Sequence, residues 1–186
     1  MEFWTDPDEQ KFILDWIEKN NPKSILEYGS GHSTTVLQNK AEHLTSVEHT
    51  AKWYNKIKSK LNDNVEYLFV PPDNMLWEDQ FDGSGRKTPA GDDGDFMDFA
   101  SYVTAPLLSL NKPFDLMYID GRARVACASL AKALLRDSNS RVLIHDFGPE
   151  AYHPHLSHRT YYDVVMGWLE PVERVKQIGL FKVREQ

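Results

Sequence analysis

The segment Glu27-Tyr28-Gly29-Ser30-Gly31-His32-Ser33-Thr34 decides the fold of this chain. It begins with the last two residues of the stretch 24–28, which has the composition of a short buried strand, and it ends with the first two residues of a predicted helix over 33–40. Glycines let a backbone turn sharply and approach a ligand closely. The first turn of the next helix offers free N–H groups. The segment therefore predicts a strand–turn–helix unit whose turn contacts a ligand.

The charge of this turn indicates which ligand it takes. A dinucleotide site prefers G-x-G-x-x-G and places a diphosphate on the turn. Thr34 stands at the third glycine position, and the carboxylate of Glu27 would repel a diphosphate. These residues therefore favour a cationic ligand and disfavour a nicotinamide-dependent oxidoreductase. Glu48 ends the next predicted strand, where a carboxylate can accept hydrogen bonds from two ribose hydroxyls.

Strands and helices alternate outward from this turn. Strands are predicted over 24–28, 44–48, 65–70, 114–119 and 141–144. Helices are predicted from Thr5-Asp6-Pro7 to Asn20-Asn21-Pro22 and over 33–40, 51–61, 96–110, 122–136 and 161–169. A long loop is expected over 73–94, and a closing hairpin of strands 172–177 and 180–183 around Ile178-Gly179. This order predicts an α/β fold with a mostly parallel twisted sheet, helices on both faces and a C-terminal antiparallel hairpin.

Length and composition narrow the class of protein. The chain has 186 residues, which suits one domain over 1–186. No apolar run approaches the roughly 20 residues that cross a bilayer, so no membrane role is expected. One cysteine, Cys127, indicates a reducing, cytoplasmic setting. The net charge of -7, without a concentrated basic run, makes nucleic acid a poor partner. Nothing in the sequence indicates an oligomeric state.

The residues that follow the strands in such a sheet meet in one crevice. Those at the first two strand ends are the expected cofactor-binding residues: Glu27, Gly29, Ser30, Gly31, Ser33, Thr34, Glu48 and His49. Those at the last two are the expected catalytic residues: Asp120, Arg122, His145 and Asp146.

The chain resembles the class I S-adenosylmethionine-dependent methyltransferases. The resemblance rests on Glu27-x-Gly29-x-Gly31, on Glu48, and on the strand Phe114–Gly121. The run Asp120-Gly121-Arg122-Ala123-Arg124 is similar to a little-characterised subset of methyltransferase-like proteins. The resemblance implies a Rossmann-like fold and S-adenosylmethionine (SAM) as cofactor, held by the cofactor-binding residues named above.

The sequence leaves two alternatives open for the reaction centre, one with a bound metal ion and one without. In the catechol O-methyltransferase-like branch, acids at places similar to Asp120 and Asp146 hold magnesium, with an amide ligand directly after the second acid. Phe147 stands there and cannot ligate, so a divalent metal is possible but not favoured. Either His145, which is placed to act as a general base near neutral pH, or Asp146 would remove the proton of the acceptor. Arg122 and Arg124 either clamp an anionic acceptor or pair with Asp120 or Asp146.

These residues predict methyl transfer from SAM to an oxygen or nitrogen of a small acceptor, which carries an anionic group if the arginines clamp it. The alternative is a non-catalytic binding module of the same fold that acts through a protein partner. The sequence does not identify the acceptor.

Overall fold

The computed structural model describes residues 5–74, 93–147 and 164–185. The helices are α1 (Pro7–Asn20), α2 (His32–Leu37), α3 (Ala51–Ile57), α4 (Ala100–Thr104), α5 (Arg124–Ser129) and α6 (Ala131–Leu134). The strands are β1 (Ser24–Tyr28), β2 (His43–Glu48), β3 (Val65–Phe69), β4 (Leu116–Ile119), β5 (Arg141–Ile144), β6 (Leu169–Val175) and β7 (Ile178–Val183). Short 3-10 turns cover Lys58–Lys60, Ala105–Leu108 and Val164–Gly167.

Helix α1 begins and ends where the sequence predicts. The Asp6 side chain accepts a hydrogen bond from the Asp8 backbone N–H, and the Glu9 side chain accepts one from the Asp6 backbone N–H, which together form a capping box. Pro7 occupies the first helical position, where a missing N–H costs nothing. The helix stops at Asn21, whose φ of 48° is left-handed.

The strands form one seven-stranded sheet in the order β3-β2-β1-β4-β5-β7-β6. β1 to β5 run parallel, and β7 runs antiparallel to both of its neighbours, β5 and β6. The crossover from β3 to β4 reverses the direction of winding, so the carboxyl ends of β1 and β4 meet at a switch point. The predicted fold class is confirmed.

The sheet buries both faces under helices. Ile25, Leu116 and Leu143 pack with Ile13 and other apolar residues of α1 and α2 on one face. The alternate strand residues, Leu26, Met117 and Val142 among them, pack with residues of α4, α5 and α6 on the other. Strands buried on both sides need no polar face, which explains their near-continuous apolar sequence. No helix in the described parts of the chain is long and apolar enough to cross a membrane.

Two predicted helices are shorter than expected. The helix predicted over 96–110 is α4 followed by a 3-10 turn, because Pro106 lacks the N–H that an α-helix would use. The helix predicted over 122–136 begins only at Arg124 and divides into α5 and α6. Ala123 has a left-handed φ of 48°, and its N–H donates to the Asp93 carbonyl at 2.6 Å, so the helix cannot start earlier.

The C-terminal hairpin is confirmed, but its turn is displaced from the predicted position. Ile178 and Gly179 lie inside β7, and the chain turns at Lys176 and Gln177, where Lys176 has φ 48°. Ile178 is fully buried and pairs with Val175, which fixes this register. The helix predicted over 161–169 is wrong at its end, because Leu169 is the first residue of β6. Residues 161–163, and most of the loop predicted over 73–94, lie outside the described residues.

Gly29 and Gly121 bring the loops after β1 and β4 into direct contact. Gly29 has φ +89°, and a Cβ there would lie 2.5 Å from the Gly121 Cα. A Cβ at Gly121 would lie 3.0 Å from the Gly29 nitrogen. Gly31 differs, because its φ of -178° suits any residue and a Cβ there would meet no atom of the described residues within 4 Å. Gly29 is therefore required by the fold and Gly31 is not.

We expect Gly29→Ala to lower the free energy of unfolding by roughly 2–4 kcal/mol, because it adds backbone strain and a backbone clash. Gly31→Ala should change it by less than about 1 kcal/mol. Urea denaturation of the two variants measures both values. Equal destabilisation by the two substitutions would contradict the assignment of Gly29 as the constrained glycine.

Candidate functional site

A cleft opens at the carboxyl ends of β1, β2 and β4. Its wall consists of Thr5, Gly29, Ser30, Gly31, His32, Ser33, Glu48, His49, Thr50, Trp53, Asp120, Gly121 and Arg122. Most of the expected cofactor-binding residues therefore lie on one surface, and Glu27 and Thr34 lie outside the lining. Of the expected catalytic residues, Asp120 and Arg122 line the cleft, whereas His145 and Asp146 lie beside Asp120.

Glu27 lies beneath the glycine turn and is fully buried. Its carboxylate accepts hydrogen bonds from three hydroxyl groups, those of Ser33 at 2.5 Å, Thr34 at 2.7 Å and Ser46 at 2.6 Å. Burial raises the pKa of Glu27 to about 7, against the opposing effect of the three hydroxyl donors. Glu27 therefore fixes the turn and the start of α2, and it reaches a ligand only through them.

Glu48 holds the two loops that flank the cleft. One carboxylate oxygen accepts hydrogen bonds from the Ser30 N–H and hydroxyl, both at 2.8 Å. The other accepts from the Thr50 N–H and hydroxyl, at 2.6 and 2.5 Å. The side chain also lines the cleft, so hydroxyl donors already occupy the positions that a ribose diol would take.

An aromatic group completes the wall on the side of α3. Trp53 lines the cleft, the His32 ring meets it edge-on at 6.3 Å, and the Lys56 ammonium lies 4.1 Å from its ring centre. His49 packs edge-on against Phe99, and burial lowers its pKa to about 4, so its ring is neutral.

Sequence reasoning missed five lining residues: Thr5, His32, Thr50, Trp53 and Gly121. Thr50 and Trp53 belong to the turn and helix that follow Glu48, so their place after a strand was a usable signal. Thr5 enters the wall from the start of α1, and no sequence pattern indicates that contact.

Asp120, His145 and Asp146 form the second half of the site. The Nδ1 atom of His145 lies 2.9 Å from Asp120 Oδ1 and 3.4 Å from Asp146 Oδ1. One candidate ligand atom from each residue can be chosen so that all three lie within 4.8 Å of one another. The two acids therefore converge, as expected for neighbouring strand ends.

Each of these three side chains is held by a further group. The Tyr118 hydroxyl donates to Asp120 Oδ2 at 3.1 Å, and the Arg124 guanidinium lies 2.9 Å from Asp146 Oδ2. The Nε2 atom of His145 lies 3.4 Å from the buried carboxylate of Glu9 on α1. Glu9 also accepts a hydrogen bond from the Gln177 N–H at 2.8 Å. No sequence pattern indicates that Glu9 and Tyr118 contact this site.

The electrostatics of His145 oppose its expected role as a general base. Burial lowers the pKa of His145, but the carboxylates of Asp120 and Asp146 outweigh burial and raise it to about 11. An imidazole with that pKa is protonated at pH 7 and cannot accept a proton. Although burial acts to raise it, contact with His145 and Arg124 holds the pKa of Asp146 well below its usual value.

The two arginines of the Asp120–Arg124 run have different environments. Arg124 is buried at the start of α5, where Asp146 and the Asp93 carboxylate at 3.6 Å balance its charge. The helix dipole disfavours a cation there, and the two acids offset it. Arg124 therefore forms an ion pair with Asp146, one of the two alternatives that the sequence leaves open, and Arg122 lines the cleft. Phe147 packs edge-on against Phe181 at 4.7 Å and offers no ligand.

The buried carboxyl of Glu27 predicts a pH dependence of stability. Its pKa is raised from 4.5 to about 7 on folding, so the folded state binds the proton more tightly. The contribution of Glu27 to stability is therefore fully present below pH 4.5 and is lost as pH rises through about 7, by on the order of 3 kcal/mol. Glu27→Gln should remove this part of the pH slope in urea denaturation between pH 4.5 and 8. The matched control Glu18→Gln, on the exposed side of α1, should keep it. Superimposable profiles for wild type and Glu27→Gln would show that Glu27 is already ionised.

Comparison with known proteins bears on the fold. No protein-family model and no curated protein sequence matches this chain. Among solved structures, a methyltransferase-like protein from Silicibacter pomeroyi is 22% identical with a TM-score of 0.66, covering 100% of this chain and 89% of that one. An O-methyltransferase from Bacillus cereus in complex with SAH is 16% identical with a TM-score of 0.64, covering 97% and 82%.

The O-methyltransferase TomG from Streptomyces achromogenes, in complex with SAM, is 14% identical with a TM-score of 0.61, again covering 97% and 82%. At this level of sequence identity, the similarity to these structures shows a shared fold. The chain has the Rossmann-like α/β fold of these methyltransferase structures.

Proposed function

We propose that this chain binds SAM in the cleft and transfers its methyl group to an oxygen or nitrogen of a small anionic acceptor. The observation that carries the proposal is the shared cleft of the glycine turn, Glu48 and Asp120 at the switch point of the sheet. Solved structures of the same fold contain SAM or its demethylated product SAH. The ligand crevice of such sheets lies at this position.

The glycine turn and Glu48 are the groups that would hold the cofactor. Gly31 leaves space for a ligand to approach the backbone, since in the parts of the chain that the structure describes no atom lies within 4 Å of a Cβ placed there. Glu48 would exchange the hydroxyls of Ser30 and Thr50 for those of the ribose. Glu27 would act through the turn, because its carboxylate is enclosed by Ser33, Thr34 and Ser46.

Positioning accounts for most of the proposed catalysis. A sulfonium is already a reactive methyl donor, so an enzyme gains chiefly by aligning the acceptor with the methyl group. Arg122 lines the cleft next to Asp120 and would hold an anionic group of the acceptor. We assign no neutral general base to His145, because its ring is protonated at pH 7.

We expect SAM and SAH to bind with Kd values in the micromolar range, roughly -8 kcal/mol, in isothermal calorimetry. Gly31→Val should weaken SAH binding by at least about 100-fold, because the side chain fills the open space of the cleft. Gly167→Val is the matched control, since a Cβ at Gly167 also meets nothing within 4 Å and Gly167 lies outside the cleft. Binding of NAD with no binding of SAM or SAH would refute the proposed cofactor.

Methyl transfer is tested with tritium-labelled SAM and a pool of small anionic metabolites. We expect label to appear in one acceptor, and Arg122→Ala to raise the KM for that acceptor on the order of tenfold, about 1.4 kcal/mol. Arg174→Ala, on the outer hairpin strand, should leave the KM unchanged. Binding of SAM without transfer to any acceptor would instead support the non-catalytic binding module.

A further inference from the structure

We propose that Asp120, His145 and Asp146 form a divalent-metal site in which His145 is the nitrogen ligand, and that this site selects a first-row transition-metal ion over Mg²⁺. The proposal depends on the geometry of these side chains and does not require that the cleft binds SAM. It differs from the magnesium arrangement considered from the sequence, because the third ligand comes from residue 145 and not from residue 147.

The two separations between His145 and the carboxylates match those around a single ion. His145 Nδ1 lies 2.9 Å from Asp120 Oδ1 and 3.4 Å from Asp146 Oδ1. Two ligand atoms that each lie about 2.1 Å from one ion are roughly 3.0–3.4 Å apart in octahedral or tetrahedral geometry. The ligand atoms of the two aspartates lie within 4.8 Å of each other, so rotation of a side chain is enough to bring all three residues to one ion.

The Nδ1 atom of His145 supplies an independent observation. It is buried, and among the described residues it makes no hydrogen bond of acceptable geometry, even though two carboxylate oxygens lie close to it. Buried polar atoms normally have a hydrogen-bond partner, so this one calls for an explanation. Without an ion, the carboxylates of Asp120 and Asp146 keep this ring protonated. A bound metal ion would take the place of that proton between the same two carboxylates, since metal binding to histidine releases the proton of the ligating nitrogen.

The remaining atoms of the three ligands are already held in place. Tyr118 donates to the second oxygen of Asp120, and Arg124 pairs with the second oxygen of Asp146. Glu9 faces the second nitrogen of His145 at 3.4 Å. Metal-ligating histidines almost always place their other ring nitrogen against a carboxylate, a carbonyl or water, and such outer contacts fix ligand orientation. In each of the three ligand residues, a neighbouring group thus holds one polar atom in place, and the other polar atom faces the proposed ion.

The ligand set decides the class of ion. Mg²⁺ prefers six oxygen ligands, whereas imidazole nitrogen suits Zn²⁺, Fe²⁺ and Co²⁺. One histidine and two carboxylates on one side of an ion leave its remaining positions open toward the cleft, which Asp120 lines. When bound, such an ion supplies a Lewis acid that can polarise an acceptor oxygen.

The test uses the full chain, freed of metal by a chelator, and Co²⁺ alone as the probe. We expect one equivalent of Co²⁺ to bind, with visible absorption bands of a nitrogen- and oxygen-ligated ion, and Mg²⁺ to bind at least 100-fold more weakly by calorimetry. This comparison uses wild-type protein and does not depend on whether any variant folds. If Mg²⁺ binds as tightly as Co²⁺, the proposal is wrong.

Variants then identify the ligands. His145→Ala should weaken Co²⁺ binding at least 100-fold, and Glu9→Gln should weaken it 10- to 100-fold by loosening the imidazole. Replacing His153, His155 and His158, which lie outside the described residues, by alanine should leave the affinity unchanged. Retention of tight Co²⁺ binding by a folded His145→Ala variant would overturn the proposal.

A last variant separates this proposal from the proposed function. Gly31→Val, which should lose SAH binding, is expected to bind Co²⁺ like wild type, because Gly31 contributes nothing to the three ligands. Failure of SAM binding would therefore leave the metal result intact, and failure of Co²⁺ binding would leave cofactor binding intact.

Discussion

The contact between Gly29 and Gly121 is the constraint on which the rest of the site depends. It brings the loops after β1 and β4 so close that neither position has room for a side chain. The cleft exists because the glycine turn and Asp120 are thereby fixed next to each other at the switch point of the sheet. A larger residue at either position would separate the candidate cofactor loop from the candidate reaction centre.

Around that contact, the protein concentrates charge, and two of the four described non-glycine residues with a left-handed φ lie there. Asp146 has a left-handed φ of 56° and Ala123 one of 48°, conformations that cost energy for residues other than glycine. Both strained residues lie beside Arg124, whose ion pair with Asp146 and contact with Asp93 connect β5, α5 and the segment before α4. Such strain persists only where the surrounding contacts over-determine it, and it is most often found at functional sites.

The sequence predicted the sheet and the strand ends well, because both follow from local patterns. Apolar strands of the right length and a glycine turn after β1 are visible in the chain itself, and so is the position of Glu48 and Asp120 after their strands. Local sequence patterns do not determine the direction in which a side chain points. Glu27 sits at a strand end as expected, yet three hydroxyls enclose its carboxylate beneath the turn. Glu9 lies on a helix with an ordinary capping sequence, and only the packing of α1 brings it to His145.

The position of Glu9 has a consequence for the stage of folding at which the reaction centre is complete. Glu9 contacts His145 across 136 residues of chain and Gln177 across 168. Each of these contacts requires the closure of a long loop, which brings together segments that are distant in the sequence. The reaction centre is therefore complete only after the first helix and the last hairpin have both docked on the sheet. A partly folded chain could possess the glycine turn and still lack an ordered His145. Ligand binding at the reaction centre therefore reports that the whole molecule has folded, and not only its parallel strands.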